Sequence, residues 1–349
     1  MPTAAKGWGT DAADQPLKPM SFERRDLRAN DVAIKISHAG ICHSDLHTCR
    51  NDWKGSAYPV IPGHEIVGTV TAVGADVTAH QVGDIVAVGC MVDSCMECQQ
   101  CKEGWEIFCA KRCTQTYNSP DKHLGGQTKG GYSDHIVVRD HFVCKVPEGM
   151  DIARVAPLLC AGITTYSPLR QYGVGKDTKV GVVGLGGLGH MGVKLAAAMG
   201  AHVTMITTTP SKGDDARELG AHDVILSTDP AQMAAAATRF DFILNTIPVA
   251  HDVTPYLGLL GRGGRMVLVG AIEPMPGFHS INLLMFNRAV GGSAIGGMPE
   301  TQEMLDFCAE HKVYPECEMI SMPEVNTAYE RLLKNDVRYR FVIDMARGL

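Results

Sequence analysis

The sequence predicts an α/β protein in two parts: a doubly wound parallel sheet and a separate β-rich, barrel-like domain. Three observations lead there. The chain has 349 residues, beyond the size at which a single hydrophobic core normally divides. From about Asp151 to Ile295, strand-sized apolar runs alternate with helical patterns, the mark of a parallel sheet with helices on both faces. Up to about Gly149, short alternating runs separated by turns read instead as half-buried β-strands.

In the first part the strands expected are Val32–Ile36, Ile66–Val73 and His135–Val138. In the second, the continuous apolar run Val180–Val183 leads into a glycine cluster and the helix-like Met191–Met199. Strand and helix patterns then alternate through Ala201–Thr207, Asp214–Gly220, Val224–Leu226, Gln232–Arg239, Phe242–Asn245 and Met266–Val269. The tail carries two helical patterns, Glu300–His311 and Glu324–Lys334, and a final strand pattern, Arg340–Asp344.

Net charge is -6 and 45% of residues are hydrophobic. This mild acidity gives no reason to expect nucleic acid or an anionic membrane as a partner. The first residues contain no apolar run of signal-peptide length, and the longest apolar stretches are strand-sized, so the cytoplasm is the expected compartment. Twelve cysteines in a reducing compartment point to metal or redox chemistry rather than disulfides.

The cysteine spacing sharpens that. Cys95, Cys98, Cys101 and Cys109 form a C-x2-C-x2-C-x7-C array. Four thiolates this close can wrap one tetrahedral zinc with no position left open, a structural site. An iron–sulfur cluster would use the same donors. Cys42, His64 and Cys160 form a second, dispersed set, each in a distinctive context: Gly40–His47, Pro62–Glu65 and Leu158–Gly162. Alone, a buried cysteine is commonly a small core hydrophobe. Together, two thiolates and an imidazole leave one tetrahedral corner open, the composition of a catalytic zinc site. Zinc there acts as a Lewis acid on an alcohol or aldehyde oxygen. Around it, Ser44 suits a hydrogen bond to the substrate oxygen and His47 a proton path to solvent. Asp45 suits orientation of the His64 imidazole, and Glu65 an approach to the metal during ligand exchange. Ordinary loop polarity is the alternative for these four residues.

Gly184-Leu185-Gly186-Gly187-Leu188-Gly189 follows the Val180–Val183 run and precedes a helical pattern. This is the G-x-G-x-x-G turn of a Rossmann dinucleotide site: tight turn, close backbone approach to pyrophosphate, close helix–strand packing. An acidic residue about twenty positions later would select NAD through its ribose hydroxyls. The sequence there reads Thr207-Thr208-Thr209-Pro210-Ser211-Lys212. Hydroxyls and a lysine accept a 2′-phosphate that a carboxylate would repel, so NADP is expected.

Taken in order along nearly the whole chain, these motifs resemble the zinc-containing medium-chain alcohol dehydrogenases, in particular the cinnamyl alcohol dehydrogenases and bacterial NADP-dependent aldehyde reductases. The motifs are Gly40–His47, Pro62–Gly68, the four-cysteine loop, Leu158–Thr164, Gly184–His190 and Val337–Asp344. The resemblance implies a GroES-like catalytic domain of residues 1–149 and 296–349 around a Rossmann domain of residues 150–295. It implies two zinc ions per chain and interconversion of primary alcohols and aldehydes with NADP(H), favouring reduction. It further implies that Thr164 meets the nicotinamide and Arg340 the pyrophosphate, that Trp53, Met91, Ala271 and Ile295 line the substrate pocket, and that the protein is a homodimer. Trp53 is bulkier than expected at its position and narrows such a pocket. The alternatives are a polyol or secondary-alcohol dehydrogenase of the same fold, and a non-catalytic zinc- and nucleotide-binding redox sensor using Cys49, Cys90, Cys113 or Cys144.

Overall fold

The computed structural model describes residues 2–270 and 273–348. The chain divides into two compact units, Met1–Cys160 with Gly296–Leu349, and Ala161–Ile295. The first break thus falls after Cys160 rather than near Gly149. Residues 151–160 form two tight turns, Ile152–Arg154 and Ala156–Leu159, the second fully buried. Arg154 donates from Nε and Nη2 to the Pro315 carbonyl at 3.1 and 2.9 Å, fixing this stretch to the C-terminal part of the same unit. An apolar run that continues unbroken into a helix gives no local sign of that allegiance.

The first unit is built on a seven-stranded sheet. Its path runs Cys317–Ser321, Arg340–Asp344, Asp31–Ile41, Ile66–Val73, Ile85–Val88, Cys144–Lys145, and His135–Arg139 also pairs with Asp31–Ile41. The eleven-residue Asp31–Ile41 strand pairs along one edge with Ile66–Val73, its register shifting at Ala33/Ile34 and Ile36/His38, and along the other with His135–Arg139 over residues 31–35 and Arg340–Asp344 over residues 38–41. Such bulges bend a strand and let it change neighbours. Ile34, Ile36, Ala39, Ile66, Val70, Val86, Val88 and Phe341 fill the core.

Register places the chemistry. Ala39 pairs with Ile66 and Phe341 pairs with Ile41, both antiparallel. The end of one strand, the start of the next and the start of a third therefore meet at one edge. Cys42 leaves the first of these strands, His64 and Glu65 enter the second, and Arg340 opens the third.

The second unit is a six-stranded sheet, parallel throughout: Asp223–Leu226, His202–Thr207, Lys179–Val183, Phe240–Asn245, Leu260–Leu268, Ala289–Gly292. Numbered along the chain this is 3-2-1-4-5-6, the Rossmann order. The fifth strand starts at Leu260, six residues before its expected start at Met266. The glycines in LGRGGRMVL hide its first half from periodicity, and the pairing is irregular there, between Phe240 and Phe242.

Candidate metal centre and cofactor loop

Cys42 caps the short helix His43–Cys49, its backbone extended at φ -115°, ψ 153°. One atom each from Cys42, His64, Glu65 and Cys160 lies within 4.8 Å of the others, all four residues being buried. The Cys42 and Cys160 sulfurs are 3.9 Å apart. Thiolates about 2.3 Å from a tetrahedral zinc stand about 3.8 Å from each other, so the spacing suits a shared ion. The charges argue the same way. Contact with Cys160 and the neighbouring His64 hold the Cys42 thiol well below its usual range against the effect of burial. Cys42, Cys90 and burial push Cys160 well above it. Two sulfurs this close do not both ionise unless a cation sits between them.

Asp45 is fully buried. Its Oδ1 lies 3.0 Å from His64 Nδ1, and a carboxylate only accepts, so the Nδ1 proton is fixed and Nε2 is the nitrogen left for a metal. Burial opposes a charged His64 imidazole, but the Asp45 carboxylate holds it well above its ordinary range. Ser44 Oγ lies 3.6 Å from Cys42 Sγ. His47 sits in the last turn of the same helix, with Nδ1 2.7 Å from Asp52 Oδ2 and its ring 5.5 Å from the Trp53 ring.

Glu65 has one oxygen on the Arg340 guanidinium and the other, Oε2, buried without a hydrogen-bond partner. Burial pushes its carboxyl up to about 7 despite Arg340. A Cβ on Gly40 would lie 1.9 Å from that free oxygen, so only glycine leaves room for it. An orphaned buried oxygen beside two thiols and an imidazole is the kind of donor a metal site keeps in reserve. The resemblance assigned Arg340 to the pyrophosphate; the structure sets its guanidinium, only 5% exposed, on Glu65.

In the four-cysteine loop one sulfur from each of Cys95, Cys98, Cys101 and Cys109 lies within 4.8 Å of the others. Cys101 Sγ is 3.5 Å from Cys98 Sγ and 3.9 Å from Cys95 Sγ. Backbone amides of Ala110 and Cys101 bring the Cys98 thiol down to about 6, while burial pushes Cys101 up to about 12. The loop is tied to the helix Met298–His311: buried Glu106 accepts the Met298 amide at 2.9 Å and faces His141 Nε2 at 2.6 Å.

In the second unit the glycine loop divides its tasks as the motif requires. Gly184 has φ +90°, and a Cβ on Gly189 would lie 1.8 Å from the Gly184 carbonyl oxygen. A Cβ on Gly186 would meet open space, where pyrophosphate approaches in such loops. Leu188 directly precedes the helix Gly189–Ala198, and Gly187 stands just before it. Thr207 closes the next strand, its Oγ1 accepting the Thr209 amide at 3.2 Å. Thr208 and Ser211 are exposed. Lys212 Nζ donates to the Leu185 carbonyl at 3.0 Å, so the cation bridges strand end and glycine loop. Thr164 is buried in the helix Ala161–Gln171.

Of the expected pocket residues, Trp53 is 45% exposed and Met91 is buried, both in the first unit. Ile295, half-buried with φ 41°, ends the second. Ala271 lies outside the described residues. Sequence reasoning missed Asp52, which lies just past the helix end with no motif to flag it, and Tyr132, described below. Of the proposed sensor thiols, burial pushes Cys144 up to about 12 and Cys49 higher still, which leaves them inert.

The alcohol dehydrogenase GroES-like domain model matches residues 28–148, and the zinc-binding dehydrogenase model matches residues 187–310. The chain is 53% identical to aldehyde reductase YahK of Escherichia coli (strain K12), over 97% of each chain. It is similar to the solved cinnamyl alcohol dehydrogenase SbCAD4 of Sorghum bicolor, with 46% identity, 99% of each chain covered and a TM-score of 0.96. It is also similar to the cinnamyl alcohol dehydrogenase of Helicobacter pylori solved in complex with NADP(H), with 44% identity, full coverage of both chains and a TM-score of 0.94.

Proposed function

The chain belongs to the zinc-binding alcohol dehydrogenase family, and we propose that it interconverts primary alcohols and aldehydes with NADP(H), favouring aldehyde reduction. The observation that carries this is the convergence of Cys42, His64 and Cys160, with Glu65 behind them, on a space the size of one metal ion. Zinc held there supplies a Lewis acid for the substrate oxygen, and NADPH supplies the hydride. The chain's own residues manage geometry and protons. Asp45 fixes the His64 tautomer. Ser44, beside Cys42, holds the hydroxyl that meets the substrate oxygen, and His47, oriented by Asp52, carries the proton toward solvent. The four-cysteine loop holds a second zinc in a structural role.

Three features support the finer assignments. Thr207, Thr208, Thr209, Ser211 and Lys212 offer hydroxyls and a cation to a 2′-phosphate, with no carboxylate among residues 207–212. The strand Ala289–Gly292 ends the parallel sheet, and Ile281, Leu284, Met285 and Phe286 are exposed in the preceding segment. A strand edge left free among the described residues, with an apolar fringe, suits pairing with a second copy, hence a homodimer. Among the described residues no helix is long and apolar enough to cross a membrane, in keeping with a cytoplasmic enzyme.

The test is a panel of aliphatic and aromatic aldehydes with NADPH and NADH, with a ketose for contrast. Aldehydes with NADPH are expected to turn over best. Lys212→Ala is expected to lose about 10- to 100-fold in kcat/KM for NADPH, the worth of one charged hydrogen bond to phosphate, with little change for NADH. Equal use of NADH by the wild-type protein would remove the 2′-phosphate assignment. Asp52→Ala is expected to slow aldehyde reduction about tenfold by leaving His47 unoriented, with unchanged metal content. Steady-state rates beside elemental analysis check this, and a wild-type rate would take Asp52 out of the proton path.

A further inference from the structure

We infer that Tyr132 is a positioning residue for the metal centre: its hydroxyl holds Asp45, and through Asp45 the His64 imidazole, in the orientation that binds zinc. This rests on the metal-centre reading above and goes one hydrogen bond beyond it.

The Asp45 carboxylate is 0% exposed. A carboxylate taken fully out of water is costly unless its lone pairs are satisfied. Four donors converge on it. Oδ1 accepts from His64 Nδ1 and from the Gly63 amide, both at 3.0 Å. Oδ2 accepts from the Cys42 amide at 3.0 Å and from the Tyr132 hydroxyl at 3.3 Å.

These donors are not equivalent. Cys42, Gly63 and His64 lie in the two segments that carry metal ligands, so their bonds to Asp45 move with the site. Tyr132 stands 87 positions away in sequence, in neither segment, and has an anchor outside both. Its carbonyl accepts from the Trp8 amide at 2.8 Å, while its amide donates to the Pro62 carbonyl, in the His64 segment, at 3.0 Å. Its ring packs so closely on Gly63 that a Cβ there would lie 2.7 Å from Cδ1. The side chain is itself 0% exposed. A phenylalanine would fill the same space, so packing alone gives no reason for the hydroxyl. At neutral pH a phenol is protonated and donates to a carboxylate. Tyr132 therefore fixes Asp45 from outside the metal-binding segments. The rotation of Asp45 sets the His64 ring, because a metal-bound imidazole takes its direction from the partner of its other nitrogen.

Outer partners of metal-bound imidazoles are worth 10- to 100-fold in metal affinity. Tyr132 acts one bond further out, at about the lower end. The experiment uses the zinc-loaded full-length protein, chelator titration and mass-spectrometric thiol alkylation, which reads the two sites separately. In Tyr132→Phe, Cys42 and Cys160 are expected to become alkylated at about tenfold lower chelator. Cys95, Cys98, Cys101 and Cys109 should be exposed at the wild-type chelator concentration. Asp45→Asn is expected to weaken the same site further, and adding Tyr132→Phe to it should change nothing more, because the hydroxyl works through the carboxylate. Wild-type protection of Cys42 and Cys160 in Tyr132→Phe would overturn the inference. So would equal loosening of both sites, or additive effects in the double variant. Alkylation of Cys42 and Cys160 in the zinc-loaded wild type before any chelator is added would sink the metal-centre reading itself, and this inference with it.

Discussion

Replacing Cys160 with serine is expected to lower kcat/KM for aldehyde reduction roughly a thousandfold or more and to leave the metal of the four-cysteine loop in place. Loss of a Lewis acid removes several kcal/mol of transition-state stabilisation, and about 4 kcal/mol corresponds to a thousandfold. Cys160 is an exacting place to test this. It is buried, and its sulfur lies 3.9 Å from that of Cys42. It lies 118 positions from Cys42, so no local motif couples the two. Serine keeps the shape but is a poor partner for zinc, which favours thiolate and imidazole. Elemental analysis beside steady-state kinetics should show about one metal ion per chain fewer than in the wild type. A variant that keeps activity within tenfold of wild type would show that Cys160 is not part of the chemistry.

The second large effect is on stability. Cys101→Ser is expected to release the metal of the four-cysteine loop and to lower the melting temperature by roughly 10 °C, reflecting about 3–5 kcal/mol. Cys101 is only 5% exposed and its thiol is pushed up to about 12 by burial. Cys101 therefore stays a neutral thiol unless a cation draws it in as a thiolate beside the other three sulfurs. The damage should spread along a defined route. Glu106 caps the helix Met298–His311 through the Met298 amide, and a Cβ on Gly297 would lie 1.5 Å from the Gly104 carbonyl oxygen. Loosening the loop frees the start of that helix. Amide hydrogen exchange should rise across residues 298–311 while the parallel sheet of the second unit keeps its protection. Unchanged melting and exchange would mean that the loop is held by packing alone.

Much of the fold was legible because it is written locally. Val180–Val183 followed by three spaced glycines specifies strand, turn and helix within a dozen residues, and the alternation that follows it marks a doubly wound parallel sheet, whose order proves to be 3-2-1-4-5-6. The comparisons bear out the family resemblance and the two-part α/β fold. The four cysteines declared themselves by spacing. The dispersed centre did not: Cys42, His64 and Cys160 could be grouped only through the motifs around them, since strand register, not proximity in sequence, brings Cys42 and His64 together.

What stayed hidden depends on contacts that carry no period. Asp52 reaches His47 from just beyond a helix end, and Tyr132 reaches Asp45 from a loop before a different strand. The pyrophosphate role of Arg340 rests on the family resemblance alone, whereas its contact with Glu65 follows from the antiparallel register of Arg340–Asp344 against Asp31–Ile41, which no local motif announces. The break after Cys160 was missed for a like reason. A buried turn such as Ala156–Leu159 reads the same in sequence whichever core it fills.

The most direct measurement is anomalous diffraction at the zinc absorption edge from crystals of the wild-type protein. Two peaks are expected, one enclosed by Cys95, Cys98, Cys101 and Cys109, and one about 2.0–2.3 Å from Cys42 Sγ, His64 Nε2 and Cys160 Sγ. A single peak in the four-cysteine loop, from protein that still reduces aldehydes, would contradict the assignment of the chemistry to Cys42, His64 and Cys160.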